Sequence, residues 1–196
     1  SHQIKVAIEG KGGALNAFTD EEFTCLYAKV QPKNLGLTVE VLTDMILSSK
    51  LDPREMEKER AVVIEEIRMY RDFPMQYVHD LLNHLLWPNH PLGREIAGTE
   101  RSLTRIRRRD LSRFQKRTYT PRNICIAACG RLTHRALVEA VAAGWRSVPS
   151  GAQPTFRKAV ERQSKPRVRI ERKETEQTQF SLGFHAFPLG ARGAAL

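Results

Sequence analysis

Two glutamates on one predicted helix are the residues of this chain best suited to metal or acid–base chemistry. Glu59 and Glu66 are seven residues apart in the segment PREMEKERAVVIEEIRMYR, at positions 53–71. Seven residues rotate an α-helix by about 700°, about 20° short of two full turns, so both carboxylates project from one side. The pair is a candidate metal or acid–base site. The alternative is that both acids are simply solvated on a glutamate-rich helix.

Apolar residues on the same side of this helix predict that the side faces a core. Val62 and Val63 lie between the glutamates, and Met56 and Tyr70 extend the stripe. Helices with such a stripe usually pack it against other elements. A carboxylate buried there is costly unless a metal or a cation offsets its charge. We therefore expect both carboxylates to point inward, toward such a partner.

Local signals define the ends of this helix and of its neighbours. Asp52 and Pro53 are a predicted N-cap and first helical residue, and Pro74 ends the helix. Strand pairs separated by runs of helices, without regular βαβ alternation, predict an α+β fold with a mixed or antiparallel sheet packed on helices. The other predicted helices cover residues 3–9, 35–48, 75–87, 104–117 and 133–145, and the predicted strands cover residues 14–18, 23–30, 123–129, 168–172 and 177–184.

The composition is that of an ordinary globular protein with a strongly basic balance. The 196 residues are 41% hydrophobic and 28% charged, and the net charge is +10. The densest arginine cluster lies in residues 105–122. A basic balance permits binding to nucleic acid or to an acidic partner, but no aromatic stacking platform is interleaved with these arginines. A solvated helix face is therefore favoured over a nucleic-acid site.

The sequence indicates neither a membrane anchor nor a disulfide framework. No run of about 20 apolar residues is present, so we expect no transmembrane helix, and residues 1–10 lack the apolar segment of a signal peptide. The three cysteines are an odd number, and Cys25 and Cys125 lie in apolar, strand-like runs, with Cys129 close behind. We expect these two to be small buried hydrophobes in a reducing compartment, and the protein to be cytoplasmic.

Four short motifs occur in one order along the chain. They are EGKGGALNAFT at 9–19, ERAVVIEEI at 59–67, HPLG at 90–93 with GT at 98–99, and YTPRN at 119–123 with a following segment to Gly130. This set resembles the pitrilysin/insulinase-like zinc metallopeptidases, which include the mitochondrial processing peptidases. The resemblance covers about residues 3–150 and implies one half of a LuxS/processing-peptidase-like metallopeptidase fold.

The resemblance implies roles for five residues. The family is the inverted zincin class, whose H-x-x-E-H signature supplies two histidine ligands and a general base, and a glutamate on a later helix is the third zinc ligand. By motif position that ligand is Glu66, and Glu59 matches a second acidic position that supports catalysis near the metal. Asn16, Ala17 and Phe18 match an edge strand to which an extended peptide substrate adds by backbone pairing.

The H-x-x-E-H signature does not occur in this sequence. By the family's spacing the histidine pair would precede Ser1, so we expect the chain to be part of a longer protein. The expected division is a peptidase-type α+β domain at 1–150 that lacks its first strands and signature helix, a linker at 151–166, and the beginning of a second homologous domain at 167–196. The six histidines present are His2, His79, His84, His90, His134 and His185.

These features predict part of a zinc metalloendopeptidase that cleaves extended peptides with metal-activated water. Zinc is the expected cofactor, and a second domain or partner subunit is the expected partner, with no membrane involved. Because one glutamate cannot hold catalytic zinc, we expect the 196 residues alone to be inactive. Two alternatives stay open: a non-catalytic scaffold subunit of a processing-peptidase-like complex and, less favoured, a basic nucleic-acid-binding module.

Overall fold

The computed structural model describes residues 2–152, 155–159 and 163–186 of the chain. These residues contain seven α-helices and one antiparallel sheet of two strands, which confirms the α+β fold class. The helices are α1 (His2–Glu9), α2 (Leu35–Leu47), α3 (Pro53–Arg71), α4 (Pro74–Leu86), α5 (Glu100–Leu103), α6 (Arg108–Thr118) and α7 (His134–Trp145), and the strands are β1 (Ala14–Thr19) and β2 (Thr24–Lys29).

The chain divides into two compact units. The hairpin unit comprises residues 1–57 and 106–155, and the α4 unit comprises residues 58–105 and 156–196. Helix α3 begins in the hairpin unit and continues into the α4 unit. In the described part of the chain, no helix is long and apolar enough to cross a bilayer.

In the hairpin unit, α1 leads through a glycine-rich turn into the antiparallel pair of β1 and β2. The register places Ala14 opposite Lys29. The amide of Gly13 donates to the carbonyl of Ile8 at 3.1 Å. A Cβ at Gly13 would lie 2.8 Å from Val30 Cγ1, so glycine is required for the turn to approach the end of β2 this closely.

Helix α2 contacts both α6 and α7 within the hairpin unit. The indole Nε1 of Trp145 in α7 donates to Thr43 Oγ1 at 3.1 Å. The side-chain amide of Gln115 in α6 donates to the carbonyl of Ile46 at 2.8 Å. These bonds satisfy polar groups at partly buried contacts and fix the two later helices against α2.

In the α4 unit, ion pairs connect the last part of α3 to residues 95–100. Arg68 Nη2 lies 3.0 Å from Glu100 Oε2, and Arg71 Nη2 lies 3.4 Å from Glu95 Oε2. The hydrogen bond from Arg68 lowers the pKa of the Glu100 carboxyl, and the same bond to Glu100 raises the pKa of the Arg68 guanidinium. These pairs fix the segment that follows the HPLG motif to the helix that carries the candidate glutamates.

Residues 179–186 lie along α4 and alternate between half-buried and exposed positions. A Cβ at Gly183 would lie 3.0 Å from side-chain atoms of Leu82 and Leu86, so the backbone of this segment rests directly on the helix. The positions that point away from α4 are the large apolar ones. Phe180, Leu182 and Phe184 are 82%, 67% and 79% exposed.

Three of the five predicted strands are absent from the described residues. Residues 123–129, 168–172 and 177–184 pair with no neighbouring strand. A strand needs a hydrogen-bonded neighbour as well as a suitable local sequence. Propensity alone therefore overpredicted strands, whereas the two strands that face each other across a short turn formed as expected.

The cysteines differ in part from the sequence-based expectation. All three are free thiols, with Cys25 half-buried in β2, and with Cys125 and Cys129 exposed. The predicted burial of Cys125 was wrong because the strand that would have buried it is not formed among the described residues.

The helix predicted over residues 104–117 is also different, because it begins only at α6. Arg107 has an extended backbone (φ −114°, ψ 159°), and its amide donates to Asp110 Oδ2 at 3.0 Å. The short helix α5 precedes it and has its own N-cap, Thr99, whose side chain accepts from the amide of Ser102. The predicted helix therefore begins four residues later than expected, and α5, which lies before the predicted range, was not predicted.

Candidate functional site

An N-terminal cap sets the start of α3, the helix that carries Glu59 and Glu66. Asp52 Oδ1 accepts a hydrogen bond from the amide of Arg54 at 2.9 Å, the geometry of the predicted N-cap. The helix then runs unbroken over Pro53–Arg71, as the sequence predicted. Both glutamates therefore lie on one side of the helix, since neither a kink nor a break separates them.

This side of α3 is exposed, which corrects the prediction of an inward-facing stripe. The Glu59 and Glu66 side chains are exposed, and Val62 and Tyr70 beside them are 49% and 38% exposed. Burial therefore places no demand for a compensating cation on these carboxylates within the described residues. Met56 and Val63 of the same stripe are half-buried, so the stripe indicated the buried side only in part.

The buried side of α3 lies elsewhere on the helix. Ile67 is only 4% exposed and is the buried residue of α3. The guanidinium of Arg60, almost two turns earlier, donates to the carbonyl of Leu103, and Arg71 pairs with Glu95 as described. Arginine stems can cover apolar surface while their charged ends reach polar partners, so a side with two arginines packs inward here.

Neither Glu59 nor Glu66 has an ion pair or hydrogen bond in the part of the chain that the structure describes. Two nearby glutamates do form ion pairs. Glu65 Oε1 lies 2.7 Å from Arg68 Nη1, and Glu100 pairs with the same guanidinium. The chain carries an excess of ten cations over acids. Two carboxylates left without a cation in such a chain are available to a ligand from outside it.

The described residues do not contain a complete metal site. No group of three or more histidine, cysteine, aspartate or glutamate side chains comes together in residues 2–152, 155–159 and 163–186. A catalytic zinc site usually has three protein ligands and one open position. The chain can therefore offer Glu66 as one ligand, and other ligands would have to come from elsewhere.

The predicted substrate strand forms as β1 in the hairpin unit, whereas the two glutamates belong to the α4 unit. Asn16 Oδ1 accepts from the amide of Ala17 at 2.8 Å, so this amide is not bonded to β2. An amide of this kind on a strand with one partner lies at the open edge. The roles assigned to these residues stay predictions.

Exposed aromatic rings surround the same strand. The rings of Phe18 and Phe23 meet edge to face with centroids 5.7 Å apart, and those of Phe18 and Tyr27 with centroids 6.3 Å apart. Edge-to-face pairs of this kind stabilise each other beyond their buried area. The candidate strand therefore shares a small aromatic cluster with the turn and with β2 on one face of the hairpin.

The HPLG motif has a structural role in the α4 unit. His90 Nδ1 accepts from the amide of Leu92 at 3.2 Å, and His90 Nε2 lies 3.0 Å from the carbonyl of Arg157. Both ring nitrogens are therefore engaged by the backbone. The same motif ends in Gly93, which is buried in a short 3-10 helix, Pro91–Gly93.

Asp80 on α4 is a perturbed acid that the sequence did not single out. Burial raises the pKa of its carboxyl, and the negative charge of Glu95 raises it further, while His79 opposes the change. Burial and the charge of Asp80 also raise the pKa of the Tyr70 phenol. In the sequence, the one sign of a perturbed acid here is an aspartate among the apolar residues of YVHDLLNHLL.

Asp80→Asn is expected to stabilise the chain near pH 7 and to have no effect near pH 3. A raised carboxyl pKa means that ionisation costs stability, so the cost is absent below the ordinary value of 3.8 and grows as the pH rises through the folded pKa. We expect a gain of at most about 0.5 kcal/mol, or about 1–2 °C in melting temperature. Urea unfolding at both pH values checks this, and an equal gain at both would contradict it.

Comparison with known proteins identifies the family of the chain. Residues 1–100 match the family described as insulinase (peptidase family M16), and residues 105–195 match the one described as peptidase M16 inactive domain. The chain belongs to the insulinase family, peptidase family M16. This confirms the resemblance seen in the four sequence motifs.

The insulinase-family relatives are longer than this chain. The uncharacterized zinc protease YmxG of Bacillus subtilis is 35% identical over 190 residues, which are 97% of this chain and 46% of that protein. Mitochondrial-processing peptidase subunit beta of Lentinula edodes is 30% identical over 153 residues, 78% of this chain and 33% of that protein. The chain therefore spans less than half the length of these relatives, one of which is named a zinc protease and the other a peptidase subunit.

A solved structure shares the fold of this chain at low sequence identity. A protease from Helicobacter pylori superimposes with a TM-score of 0.73 at 21% identity, over 82% of this chain and 39% of that chain. At this level of identity the similarity shows the fold alone. All five candidate site residues lie within residues 1–100, the part that matches the insulinase description.

Proposed function

We propose that this chain is part of a zinc metalloendopeptidase in which Glu66 is one of the zinc ligands. The observation that carries the proposal is the exposed Glu66 carboxylate, which has no cationic partner among the described residues of a chain with net charge +10. Its position within the match to the insulinase family supports the same assignment. A surface carboxylate that no arginine or lysine engages can offer its oxygens to a metal.

The donor set of this chain fits one part of a catalytic zinc site. Zinc bound at such a site supplies an activated water and polarises the peptide carbonyl. Glu66 would offer a carboxylate oxygen, the ligand type that zinc accepts beside two histidines. Glu59, on the same side of α3, would orient a neighbouring ligand or polar group by hydrogen bonding. The two histidines would come from sequence outside the 196 residues.

The proposed substrate contact is the open edge of β1 in the hairpin unit. An extended peptide would add to Asn16, Ala17 and Phe18 as a further strand, with its backbone bonded to theirs. The amide of Ala17 now donates to the Asn16 side chain, and a substrate carbonyl would replace that side chain as acceptor. Backbone pairing depends little on side chains, so the substrates are expected to be varied unfolded peptides.

The whole protein is proposed to need more than this chain. Because the chain spans 46% of YmxG, a second domain or a partner subunit is expected to complete the active site. The 196 residues alone are expected to show no peptidase activity. We place the whole protein in the cytoplasm on the sequence argument given above.

A non-catalytic scaffold subunit is the second candidate function. The observation that favours it is the match of residues 105–195 to the domain described as inactive. The exposed Glu59 and Glu66 do not distinguish the two candidates, because solvated acids on a helix surface cost a scaffold nothing. Zinc binding separates the two candidates.

The deciding experiment measures zinc content and peptide cleavage in the full-length protein. We expect about one zinc per chain and cleavage of an unfolded peptide that a chelator stops and added zinc restores. A full-length protein that binds no zinc would exclude the peptidase and favour the scaffold. Chelator-sensitive cleavage by the 196-residue chain itself would contradict the claim that other ligands are needed.

A further inference from the structure

The outer side of α6 carries four cations in one stripe. Arg109, Arg113, Lys116 and Arg117, here called the α6 stripe, fall within about 100° of the helix circumference at 100° per residue. All four side chains are exposed. A shallow, open space of about 800 Å³ lies between the side chains of Arg108, Arg109, Ser112, Arg113, Lys116 and Arg117.

The charge of the α6 stripe is poorly balanced by its surroundings. Asp110 Oδ1 is 4.0 Å from Arg109 Nε and 4.0 Å from Arg113 Nη1, the limit of an ion pair. The other oxygen of this carboxylate already accepts from the Arg107 amide. Like charges three or four residues apart on a helix repel one another, so an added anion would relieve repulsion along the stripe.

Some exposed arginines elsewhere in the chain have a close acid partner. Arg135 Nε lies 2.8 Å from Glu139 Oε1 one turn along α7. By contrast, Lys116 and Arg117 have no carboxylate within 4.0 Å among the described residues. These two residues therefore add positive charge to the stripe that no carboxylate in the described residues offsets within that distance.

The α6 stripe is held on a fixed support. Arg108 Nε and Nη2 donate to the carbonyls of Leu51 and Lys50, at 2.8 and 3.2 Å. Gln115 donates to the carbonyl of Ile46 at the end of α2. Bonds at both ends of the inner side set the rotation of α6, so the outer cations project from a preorganised surface.

We propose that the α6 stripe is a docking surface for an acidic polypeptide segment in extended form. Arg109, Arg113 and Arg117 follow one another at a rise of about 6.0 Å per four residues. Alternate residues of an extended peptide repeat at about 6.6 Å. Three carboxylates at alternate positions therefore match three guanidinium groups, and each arginine can bind a carboxylate through two parallel hydrogen bonds.

Two other anionic partners fit this surface less well. Single-stranded nucleic acid binds best where aromatic rings stack on the bases, but the Phe114 ring lies outside the stripe and meets Tyr119 edge to face at 6.3 Å. A membrane-binding helix needs a free apolar side to insert, and the inner side of α6 is bonded to α2 through Gln115. The surface offers charge without stacking or insertion, which suits a polypeptide.

The docking surface does not depend on the proposed zinc site. It lies on α6, in residues that match the domain described as inactive, and it requires no metal. A failure of zinc binding would leave this proposal unchanged, and a failure of acidic peptide binding would leave the zinc proposal unchanged.

The test measures binding of a short fluorescent peptide with glutamate at alternate positions and serine between them. The 196-residue chain is compared with Arg109→Gln/Arg113→Gln/Arg117→Gln by fluorescence anisotropy at low salt. Three exposed pairs should together cost about tenfold in affinity, about 1.4 kcal/mol. Binding by the unchanged chain should weaken steeply as salt is raised.

A matched control removes the same charge elsewhere. Lys5→Gln/Arg101→Gln/Arg131→Gln changes three exposed residues outside the α6 stripe and should alter affinity by less than about twofold, because distant surface charges are screened. Helix content of each variant is checked by circular dichroism. Should the triple variant lose helix, Arg113→Glu alone gives the same comparison and should weaken binding more than Arg131→Glu.

Several results would overturn the proposal. One is an equal loss of affinity in the stripe variant and the control variant, which would mean that net charge alone explains the binding. Another is absence of peptide binding by the unchanged chain at low salt. Tighter, stripe-dependent binding of oligothymidine or of phosphatidylserine vesicles would replace the polypeptide by a nucleic acid or a membrane as the partner.

Discussion

Glu66→Gln in the full-length protein is expected to reduce zinc-dependent peptide cleavage by more than about 100-fold. Glutamine keeps the size of the side chain but removes the charge that a metal ligand supplies, and changes even beyond the direct ligands cost about 10- to 100-fold. Zinc content should fall in parallel. The measurements are kcat/KM for a peptide substrate and zinc per chain after dialysis.

Two neighbours on α3 provide the controls for this prediction. Glu65→Gln changes the adjacent exposed acid, which pairs with Arg68, and should leave cleavage and zinc content near their original values. Glu59→Gln should be intermediate, with about a 10- to 100-fold loss of kcat/KM and retained zinc. If Glu66→Gln keeps full zinc content and activity, the assignment of Glu66 as a ligand is wrong.

Gly93→Ala is expected to destabilise the fold by about 2–3 kcal/mol. A Cβ at this position would lie 2.3 Å from the Trp87 carbonyl oxygen and 3.1 Å from the Asn83 carbonyl oxygen. Both are backbone atoms at the end of α4, so the clash cannot be relieved by a change of side-chain rotamer. Overpacking of this kind costs about 1–3 kcal/mol or more. Urea unfolding of the 196-residue chain, followed by circular dichroism, measures the change.

Gly36→Ala is the matched control, because it makes the same chemical change where space is open. Gly36 is exposed in α2, and a Cβ there would have no atom within 4 Å. Alanine in place of glycine within a helix should stabilise the chain by about 0.5–1 kcal/mol. The two substitutions should therefore have opposite signs. A neutral Gly93→Ala would mean that the HPLG segment can move away from α4 at little cost.

The first residue of α3 and its N-cap were predictable from the sequence. Asp52 can cap only from the position before Pro53, and proline is favoured at the first helical position and disfavoured further inside. The structure has both features, with the helix over Pro53–Arg71. The hairpin of β1 and β2 was predictable for a similar reason, since both strands and their turn lie within a short stretch of sequence.

The direction in which α3 faces was not predictable in the same way. Which side of a helix is buried depends on what packs against it, and the packing of Arg60 and Arg71 involves residues more than 20 positions away. Val62 therefore suggested the wrong side, whereas Val63 is half-buried. The three unformed strands have the same cause, because a ladder partner is a property of the fold rather than of the segment.

The candidate site was predictable only through the resemblance to a family. Glu59 and Glu66 are two of many glutamates in the chain, and spacing alone could not distinguish them from solvated acids. The motif position singled them out, and the structure adds that they have no cation beside them in the described part of the chain. The domain limits at 150 and 167, and the roles of the five residues, stay predictions.

Residues 179–186, next to α4, expose several large apolar side chains. The backbone side of this segment is occupied by Leu82 and Leu86, and its phenylalanines face the solvent. Large apolar side chains that are exposed close together promote association between molecules. A concentrated sample of the 196 residues should therefore cluster, and light scattering should decline on dilution while each molecule keeps its helices.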